Sequence, residues 1–247
     1  MPNAEQSNQL SVLAYNVWLR PSYFLDGQGA RAKLLTRELL GHDVLVLSET
    51  FARSSRRLFE DLAKHYPHQT GVLGKPRLTD GPVRAGNGGV TIASRWPIVA
   101  RDERHFHGIL RGPDAYADKG VLYACIRKRG CPYHIFGTHT QAPPEPPFRV
   151  AYRWAGRDAD AIYTQLRLEQ FSLIGRFVRA MALPKDEPVI IAGDLNANML
   201  GAPDEYEEML QRLDATAPQR SGGRPATWEP RENPLSGGDR DEWLDYV

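Results

Sequence analysis

Residues 190–198 read IIAGDLNAN, an apolar run that ends in a glycine, a carboxylate and two carboxamides. The apolar run is typical of a strand covered on both faces, and Gly193 would let another group approach the backbone closely. If the chain stays extended, Asp194 and Asn196 point to the same side, because side chains alternate along a strand. Two interpretations are open here: an Asx-rich turn that closes the strand, or a pair of side chains that hold a bound group.

The length and composition favour one large α/β domain that spans residues 1–247. A chain with 41% hydrophobic and 25% charged residues can bury a substantial core. Its 31 basic and 30 acidic residues leave a net charge of +1, which excludes an overall field that would attract nucleic acid or an anionic membrane. The start of the chain lacks the regions of a secretory signal, and no apolar run reaches membrane-spanning length. We therefore expect a cytoplasmic or peripheral membrane protein.

The two cysteines, Cys125 and Cys131, lie in one stretch, YACIRKRGCPYHI. With a tight turn at Arg129 and Gly130, Cys125 lies opposite His134, so the two thiols are not cross-strand partners. Two cysteines cannot form a metal cage or a disulfide scaffold. We expect both to be small buried hydrophobic residues.

Periodic apolar positions and Gly or Pro breaks predict alternating strands and helices. In order, they are a strand at 10–19, a helix at 29–41 with Gly41 as its C-cap, a strand at 42–51, a helix at 54–66 with Ser54 or Ser55 as its N-cap, five antiparallel strands between 68 and 140, a helix at 160–183, a strand over the apolar run 189–192 and a helix at 203–213. The proline-rich stretch 142–148 is expected to be neither helical nor an interior strand. This order is typical of a two-sheet β-sandwich flanked by helices, with four layers in the order α/β/β/α.

Polar side chains occupy four strand ends that a core would not tolerate. They are Asn16, Glu49, His139, and Asp194 with Asn196. Each alone has a structural explanation, since a strand-end Glu is usually solvated and a lone His is usually hydrogen-bonded. Ligand sites of α/β folds gather at strand ends, however, and this set suits a hydrolytic site for phosphate esters.

Magnesium fits the same residues, although other divalent cations would also fit. Mg²⁺ takes oxygen ligands, keeps several waters and binds through one or two carboxylates plus a substrate phosphate, so Glu49 alone can suffice. Asn16, Asn196 and His139 are neutral donors that can bond phosphate oxygens as charge develops, without a fixed opposite charge.

A set of motifs carries a family resemblance. In order they are LAYNVWLRP, DVLVLSETF, NGGVTIASRWPI, GTHTQA, AGDLNAN, ATWEP and LDYV. From about residue 10 to the last residue, the chain resembles the endonuclease/exonuclease/phosphatase superfamily, and within it the neutral, bacterial-type sphingomyelinases. The resemblance implies a Mg²⁺-dependent phosphodiesterase that hydrolyses sphingomyelin to phosphocholine and ceramide by attack of water on phosphorus, at a membrane surface.

The resemblance also implies a role for each strand-end residue. Glu49 becomes the main Mg²⁺ ligand, with Asn16 beside it at the metal and the phosphate. His139 and Asn196 become donors to the phosphate and the transition state, and Asp194 orients the attacking water.

Asp114 and Lys119, in DAYADK, match an Asp/Lys pair that organises the site in neutral sphingomyelinases. From the residues alone, Lys119 would be a solvated strand residue and Asp114 a turn former after Pro113, so this assignment depends on the resemblance. Arg167 and Gln170 match a helix motif, RxxQ, that we interpret as structural.

In the family, a further strand follows and ends in Asp-His or a similar pair, whose imidazole acts as general base or acid. This chain stops at Val247, so Asp245 is expected to lack the imidazole that it pairs with in the family. Either the chain is truncated or the protein is defective. In both cases we expect the sandwich to lack its last strand and turnover to be impaired by about 10²–10⁴-fold, the contribution of a general acid–base group.

Two other functions fit the same residues. A DNA-repair endonuclease that acts at abasic sites would use the same metal site, but Lys and Arg usually contact DNA phosphates, and the chain has no long basic stripe. The non-enzymatic alternative is a relic that binds metal or phospholipid without turnover.

Three aromatic residues lie in or after the proline-rich stretch: Phe148, Tyr152 and Trp154. At a bilayer surface, Trp and Tyr are favoured. The other interpretation has these rings pack against the long helix at 160–183. The sequence leaves both open.

Overall fold

The computed structural model describes residues 9–20, 27–51, 53–76, 86–219, 226–232 and 240–247. The elements in chain order are β1 (Val12–Leu19), α1 (Gln28–Glu38), β2 (Val44–Thr50), α2 (Arg53–Leu62), β3 (His68–Val72), β4 (Thr91–Ser94), β5 (Ile98–His105), a 3₁₀ helix (Gly112–Tyr116), β6 (Gly120–Lys128), β7 (Cys131–His139), α3 (Pro146–Trp154), α4 (Ala159–Ala180), β8 (Val189–Asp194), α5 (Pro203–Leu213) and β9 (Asp245–Tyr246). Among these residues, no helix combines the length and apolarity needed to cross a membrane.

The strands form two mixed sheets with the orders β1-β2-β4-β3 and β5-β6-β7-β8-β9. The pairs β1–β2 and β7–β8 are parallel, and all other pairs are antiparallel. The five strands predicted between 68 and 140 all form, but they do not lie in one sheet. The first two join β2 in one sheet, and the other three begin the second sheet.

Apolar side chains separate the structure into four layers. Both sheets contribute fully buried residues to the space between them, among them Val46, Ile92, Leu122 and Ile135. On the outside, α1 and α2 cover the first sheet, and α4 and α5 cover the second. Each fully buried aliphatic side chain stabilises the fold by about 1.5–3 kcal/mol. The predicted sandwich flanked by helices is confirmed.

The predicted caps of the first two helices are wrong. The C-cap of α1 is Leu39, not Gly41, because Leu40 N–H bonds the Arg37 carbonyl and tightens the last turn before the chain reverses at Gly41. Helix α2 begins at Arg53, so Ser54 lies inside the helix, and so does Ser55. Arg is a good helix former, which extends the helix N-terminally past the two serines.

The prediction that residues 142–148 are non-helical is wrong at its C-terminal end. Helix α3 begins at Pro146, and Glu145 is its N-cap with an extended backbone (φ −63°, ψ 153°). Proline is tolerated in the first helical turn because its missing N–H would have no intrahelical partner there. The residue before a proline favours the extended conformation that Glu145 adopts.

The hairpin of β6 and β7 has the predicted register. Cys125 pairs with His134 and Lys128 pairs with Cys131, so the two thiols are not opposite each other and form no disulfide. Cys125 is buried as expected, whereas Cys131 is half-buried. The His134 ring lies between the Tyr123 hydroxyl (2.8 Å) and the Glu187 carboxylate (2.6 Å), so it is a hydrogen-bonded structural residue.

Candidate functional site

The strand-end residues come together where the parallel pairs β1–β2 and β7–β8 face each other across the sandwich. Asn16 lies at the centre of this group. Its side-chain nitrogen donates to Glu49 Oε1 (3.0 Å) and, across to the other sheet, to Asp194 Oδ2 (2.9 Å). Its amide oxygen accepts from the backbone N–H of Trp18 (3.0 Å), which fixes the orientation of the amide. One carboxamide therefore bridges two carboxylates from different sheets.

Three non-glycine residues around this group have left-handed backbones. They are Trp18 (φ 50°), Glu49 (φ 57°) and Asn196 (φ 50°). The register of β1 against β2 is broken between Asn16 and Leu19, next to the first of them. Such conformations cost about 1–3 kcal/mol each and persist only where the surroundings enforce them, most often at functional sites. The strands are thus bent where they present these side chains.

The end of β8 combines both interpretations of the GDLN stretch. A side chain at Gly193 would place its Cβ 2.0 Å from the Thr138 carbonyl oxygen, so the glycine does permit a close approach of β7. Asp194 Oδ1 accepts from the Asn196 N–H (3.1 Å), which is an Asx turn. The extended conformation ends at Asp194, so Asn196 is positioned by the turn rather than by strand alternation. Its amide donates to the Thr140 carbonyl at 3.4 Å.

The two bridged carboxylates are poorly compensated. Burial raises the pKa of Glu49, and the Asn16 hydrogen bond and Arg20 oppose this only in part. Burial, together with the nearby Glu49 charge, raises the pKa of Asp194 to about 6, although the Asn16 bond lowers it. Within the described residues, Glu49 Oε2 is buried without a hydrogen bond, and Arg20 Nε lies 3.8 Å from it. The site therefore favours an additional positive charge.

His139 stands beside this pair as a neutral imidazole. It is 3% exposed, and burial lowers its pKa well below the usual value, with further lowering from Lys119 and Arg20. Its Nε2 lies 3.7 Å from Asp194 Oδ2, beyond hydrogen-bond distance. Its Nδ1 is buried without a hydrogen bond to any described residue. The ring can therefore donate to a bound group without carrying a charge.

Asp114 and Lys119 form the pair that the resemblance implies. Lys119 Nζ donates to Asp114 Oδ2 (2.8 Å) and to the Thr140 carbonyl (3.0 Å). The expectation of a solvated lysine is wrong, because Lys119 is 1% exposed and its ammonium is paired. Asp114 Oδ2 also accepts from Gln141 Nε2 (3.1 Å) and from the Ala142 N–H (2.9 Å). The pair therefore holds the segment that follows His139.

The RxxQ motif on α4 supports the same segment. Gln170 Oε1 accepts from the Gln141 N–H (2.8 Å), and Gln170 Nε2 donates to the Ile109 carbonyl (2.6 Å). Arg167 instead contacts Glu205 on α5 through two nitrogens (2.5 and 2.9 Å). Both residues have structural roles, as the sequence indicated.

Two side chains at the site were not selected from the sequence. Gln141 and Arg20 stand in the quoted motifs GTHTQA and LAYNVWLRP, which gave the available signal. Arg20 contacts Glu49 and also Glu145 (3.4 Å), and so it connects the carboxylate pair to the start of α3. Its distance in sequence from Glu145 conceals this contact.

Asp245 lies next to Asp194, since these two residues pair between β8 and β9. Burial raises the pKa of Asp245 well above its usual value, and the Asp194 charge raises it further. Its N–H donates to the Thr227 hydroxyl (3.1 Å), and within the described residues its Oδ1 is buried without a hydrogen bond. Its role beside an imidazole stays a prediction.

The donor set fits a hard divalent cation. Glu49 and Asp194 offer carboxylate oxygens, and Glu49 Oε2 has no hydrogen bond among the described residues, with its nearest cation, Arg20, 3.8 Å away. Asn16 as placed turns its nitrogen toward both carboxylates, which supports a role in holding Glu49; its role as a direct ligand stays a prediction.

The sequence matches the Endonuclease/Exonuclease/phosphatase family over residues 13–247, and the chain belongs to this family. A sphingomyelinase C from Listeria ivanovii is 34% identical, and the match covers 98% of this chain and 73% of the relative. A sphingomyelinase C from Bacillus cereus is 32% identical, with 99% and 76% covered. The structure is similar to a crystal structure of a beta toxin mutant from Staphylococcus aureus with bound magnesium ions, with a TM-score of 0.81. The two sequences are 31% identical, and the match covers 96% of this chain and 82% of the toxin chain.

These relatives confirm the resemblance drawn from the motifs, including its sphingomyelinase branch. They also confirm the predicted enzyme class, a phosphodiester hydrolase. The roles assigned to individual residues stay predictions, which the geometry of the carboxylate pair supports.

Proposed function

We propose that the protein hydrolyses sphingomyelin to phosphocholine and ceramide with Mg²⁺ as cofactor. The observation that carries the proposal is the buried Glu49–Asp194 pair, bridged by Asn16, with Glu49 Oε2 left without a hydrogen bond among the described residues. The substrate class is supported by relatives that are named sphingomyelinase C and match almost the whole chain. The cofactor is supported by the magnesium in the similar beta toxin structure.

The carboxylate pair would hold the cation through Glu49, and a bound Mg²⁺ would polarise a nonbridging phosphate oxygen. Asp194 would accept a hydrogen bond from the attacking water and so aim its oxygen at phosphorus. A bond then forms between phosphorus and the water oxygen, and the bond between phosphorus and the ceramide oxygen breaks. One proton of the water passes to the ceramide oxygen, and the other stays on the phosphate monoester.

His139 and Asn196 would stabilise the charge that develops on the phosphate oxygens. His139 is suited to this because its lowered pKa keeps the ring neutral, so it donates a hydrogen bond without binding the anionic product through a fixed charge. Lys119 and Asp114 do not contact the phosphate in this scheme. They position the backbone of Thr140 and Ala142, which follows His139 directly.

Helix α3 is the surface that we propose to meet the lipid. All of its residues are at least partly exposed, and Trp154 is 86% exposed. The packing against the long helix that the sequence left open is observed for Tyr152. Its ring lies edge-on to the ring of Tyr163 on α4, with the ring centroids 6.2 Å apart. The exposed Trp154 and the basic Arg149 and Arg153 suit the interface of a bilayer. Arg20 connects this helix to Glu49 through Glu145.

The test of function compares two substrates with the same chain. Phosphocholine release from sphingomyelin in mixed micelles and nicking of a duplex with one abasic site are measured with Mg²⁺ and with a chelator. We expect Mg²⁺-dependent phosphocholine release. Nicking without phosphocholine release would overturn the proposed substrate and favour the DNA-repair alternative. Mg²⁺-dependent micelle binding without either product would indicate the non-catalytic alternative.

The lipid surface has a separate test. Trp154→Ala should weaken binding to sphingomyelin vesicles and leave hydrolysis of a soluble phosphodiester unchanged. Leu34→Ala on α1 is the matched control, because Leu34 is also an exposed apolar side chain (64%). Equal vesicle binding by both variants would remove α3 from the proposal.

A further inference from the structure

A second group of side chains of the types that bind metals lies where β5 ends and β6 begins, in the second sheet. His105 ends β5, His107 follows it by two residues, and Asp118 precedes β6. Asp118 Oδ1 lies 3.3 Å from His105 Nδ1 and 3.3 Å from His107 Nε2, and all three ligand atoms lie within 4.8 Å of one another. The pairing of His105 with Gly120 brings the two chain segments together. None of these residues belongs to the Glu49 site.

The spacing fits tetrahedral coordination. With bonds of about 2.0–2.2 Å to nitrogen and oxygen, the ligand atoms around a tetrahedral Zn²⁺ lie about 3.3–3.6 Å apart. Both distances from Asp118 Oδ1 to the histidine nitrogens, 3.3 Å each, lie within this range. The His107 side chain is 53% exposed, so its ring can turn to shorten the remaining distance to His105.

The atom of His105 that faces Asp118 is not used in the protein's own hydrogen bonding. Its Nδ1 is buried and makes no hydrogen bond to a described residue, although Asp118 Oδ1 is near enough for an ion pair. A buried ring nitrogen of this kind presents either a lone pair or an unused proton to the space between the three side chains. His107 Nε2, by contrast, contacts Asp118 Oδ1 as a hydrogen-bond partner.

Outer contacts hold two of the three ligands in place. Glu103 Oε1 lies 3.4 Å from His105 Nε2, the ring nitrogen away from Asp118. Arg101 in turn binds Glu103 Oε2 (2.9 Å). Asp118 Oδ2 accepts from the Lys75 N–H (3.1 Å), which leaves Oδ1 directed to the histidines. A carboxylate behind a histidine is the arrangement that orients ligands in zinc sites.

We propose that His105, His107 and Asp118 bind Zn²⁺ or a similar first-row transition metal, at a site separate from the Glu49 centre. Two imidazoles and one carboxylate select such metals, whereas Mg²⁺ prefers oxygen ligands. The three ligands leave the fourth position to water. Because Asp118 adjoins Lys119, an ion here would tie the end of β5 to the residue that holds the segment after His139.

The test measures Zn²⁺ binding to the whole chain by calorimetry, and Co²⁺ binding by its visible absorption, which reports tetrahedral nitrogen and oxygen ligation. His107→Ala is the main variant because the exposed side chain can be removed without disturbing the core. Loss of an outer partner lowers metal affinity by about 10–100-fold. His107→Ala should lower the affinity for Zn²⁺ by more than this, and Glu103→Gln should lower it within this range. His65→Ala, which removes another exposed histidine, should bind as the parent does.

Glu49→Gln separates this site from the proposed catalytic one. It should abolish the effect of Mg²⁺ and leave one Zn²⁺ per chain with unchanged affinity. In the Glu49→Gln background, Zn²⁺ binding that survives in His107→Ala and in a combined His105→Ala, His107→Ala variant, with each variant folded by thermal unfolding, would overturn the proposal. Zn²⁺ binding lost in Glu49→Gln would overturn it as well, because the ion would then lie at the other site.

Discussion

Two carboxylates lie at opposite ends of strand β2 and are compensated in opposite ways. Asp43, just before the strand, accepts hydrogen bonds from Ser11 N–H (2.9 Å), Trp96 Nε1 (2.8 Å) and Lys128 Nζ (2.9 Å). Burial raises the pKa of Asp43, but these bonds outweigh burial and hold the pKa at about 2. Glu49 has one amide bond and a cation at 3.8 Å, and burial raises its pKa.

The difference distinguishes a structural carboxylate from a carboxylate whose charge would be compensated only by a bound cation. The charge of Asp43 is compensated by its hydrogen bonds and by the Lys128 ammonium, so Asp43 contributes to stability at neutral pH. Glu49, next to Asp194, is buried without enough compensation, which costs stability unless a bound ion supplies it. The strand thus fixes the fold at one end and supports the proposed chemistry at the other.

The largest effect is expected at Glu49. Glu49→Gln keeps the acceptor for Asn16 but removes the charge, so activity toward sphingomyelin should fall by about 10³-fold or more, corresponding to about 4 kcal/mol of transition-state stabilisation. The thermal shift caused by Mg²⁺ should disappear. Without metal, the variant should be at least as stable as the parent at pH 7, because an uncompensated charge has been removed.

Glu60→Gln on the exposed side of α2 is the control for this prediction, and it should leave the activity, the Mg²⁺ thermal shift and the metal-free stability unchanged. A Mg²⁺ shift of the same size in Glu49→Gln and the parent would contradict the metal assignment. A clear loss of metal-free stability would show that Glu49 resembles Asp43 and is structural.

The second effect is at Asp114, which is well compensated like Asp43 but lies at the site. Asp114→Asn leaves the buried Lys119 ammonium without its carboxylate, so stability should fall by about 3 kcal/mol. Activity should also fall by about 10²-fold, because the segment after His139 loses its anchor. Urea unfolding and phosphocholine release measure the two effects, with the exposed Asp186→Asn as control. Loss of stability without loss of activity would remove the pair from the positioning of the site.

The third effect is at Asp43. Because its folded-state pKa is lowered from 3.8 to about 2, its contribution is present above pH 4 and is lost as the pH falls through about 2. Asp43→Asn should cost about 2 kcal/mol at pH 7, and the difference from the parent should vanish toward pH 2. Urea unfolding at pH 7, 4, 3 and 2 measures this. A difference that stays constant with pH would mean that the bonds of Asp43, not its charge, provide the stability.

The sequence predicted the polar strand ends well because apolar runs and alternation are local signals. The meeting of Asn16, Glu49 and Asp194 follows from where three apolar strands end. The burial of Lys119 could not be predicted from the residues alone. It depends on Asp114 and on the Thr140 carbonyl, which come close to Lys119 only in the folded chain. The helix that begins at Pro146 was missed because the prediction considered only that proline is disfavoured inside a helix. Proline is well tolerated in the first helical turn, where this one lies.

Other features depend on long-range register and had no local pattern. The left-handed backbone of Glu49 is imposed by surrounding packing, because its residue type does not favour it. The His105, His107 and Asp118 group exists only because β5 pairs with β6 in one register. The sequence placed the two histidines in a strand region and gave no reason to join them to Asp118.

The smallest effect is expected at Arg20, the cation nearest Glu49 Oε2. Lys128 pairs with Asp43 at 2.9 Å and is 11% exposed, whereas the Arg20 side chain is 44% exposed and lies 3.8 Å from Glu49. Exposed pairs contribute about 0.2–1 kcal/mol, so Arg20→Gln should change stability by less than about 1 kcal/mol, and Lys128→Met should cost more. Removing the Arg20 charge should also strengthen Mg²⁺ binding, by less than about fivefold, because the two cations compete for one carboxylate. Thermal unfolding with and without Mg²⁺ measures both quantities. Weaker Mg²⁺ binding in Arg20→Gln would mean that Arg20 positions Glu49 for the metal, and the two ends of β2 would then differ less than their geometry indicates.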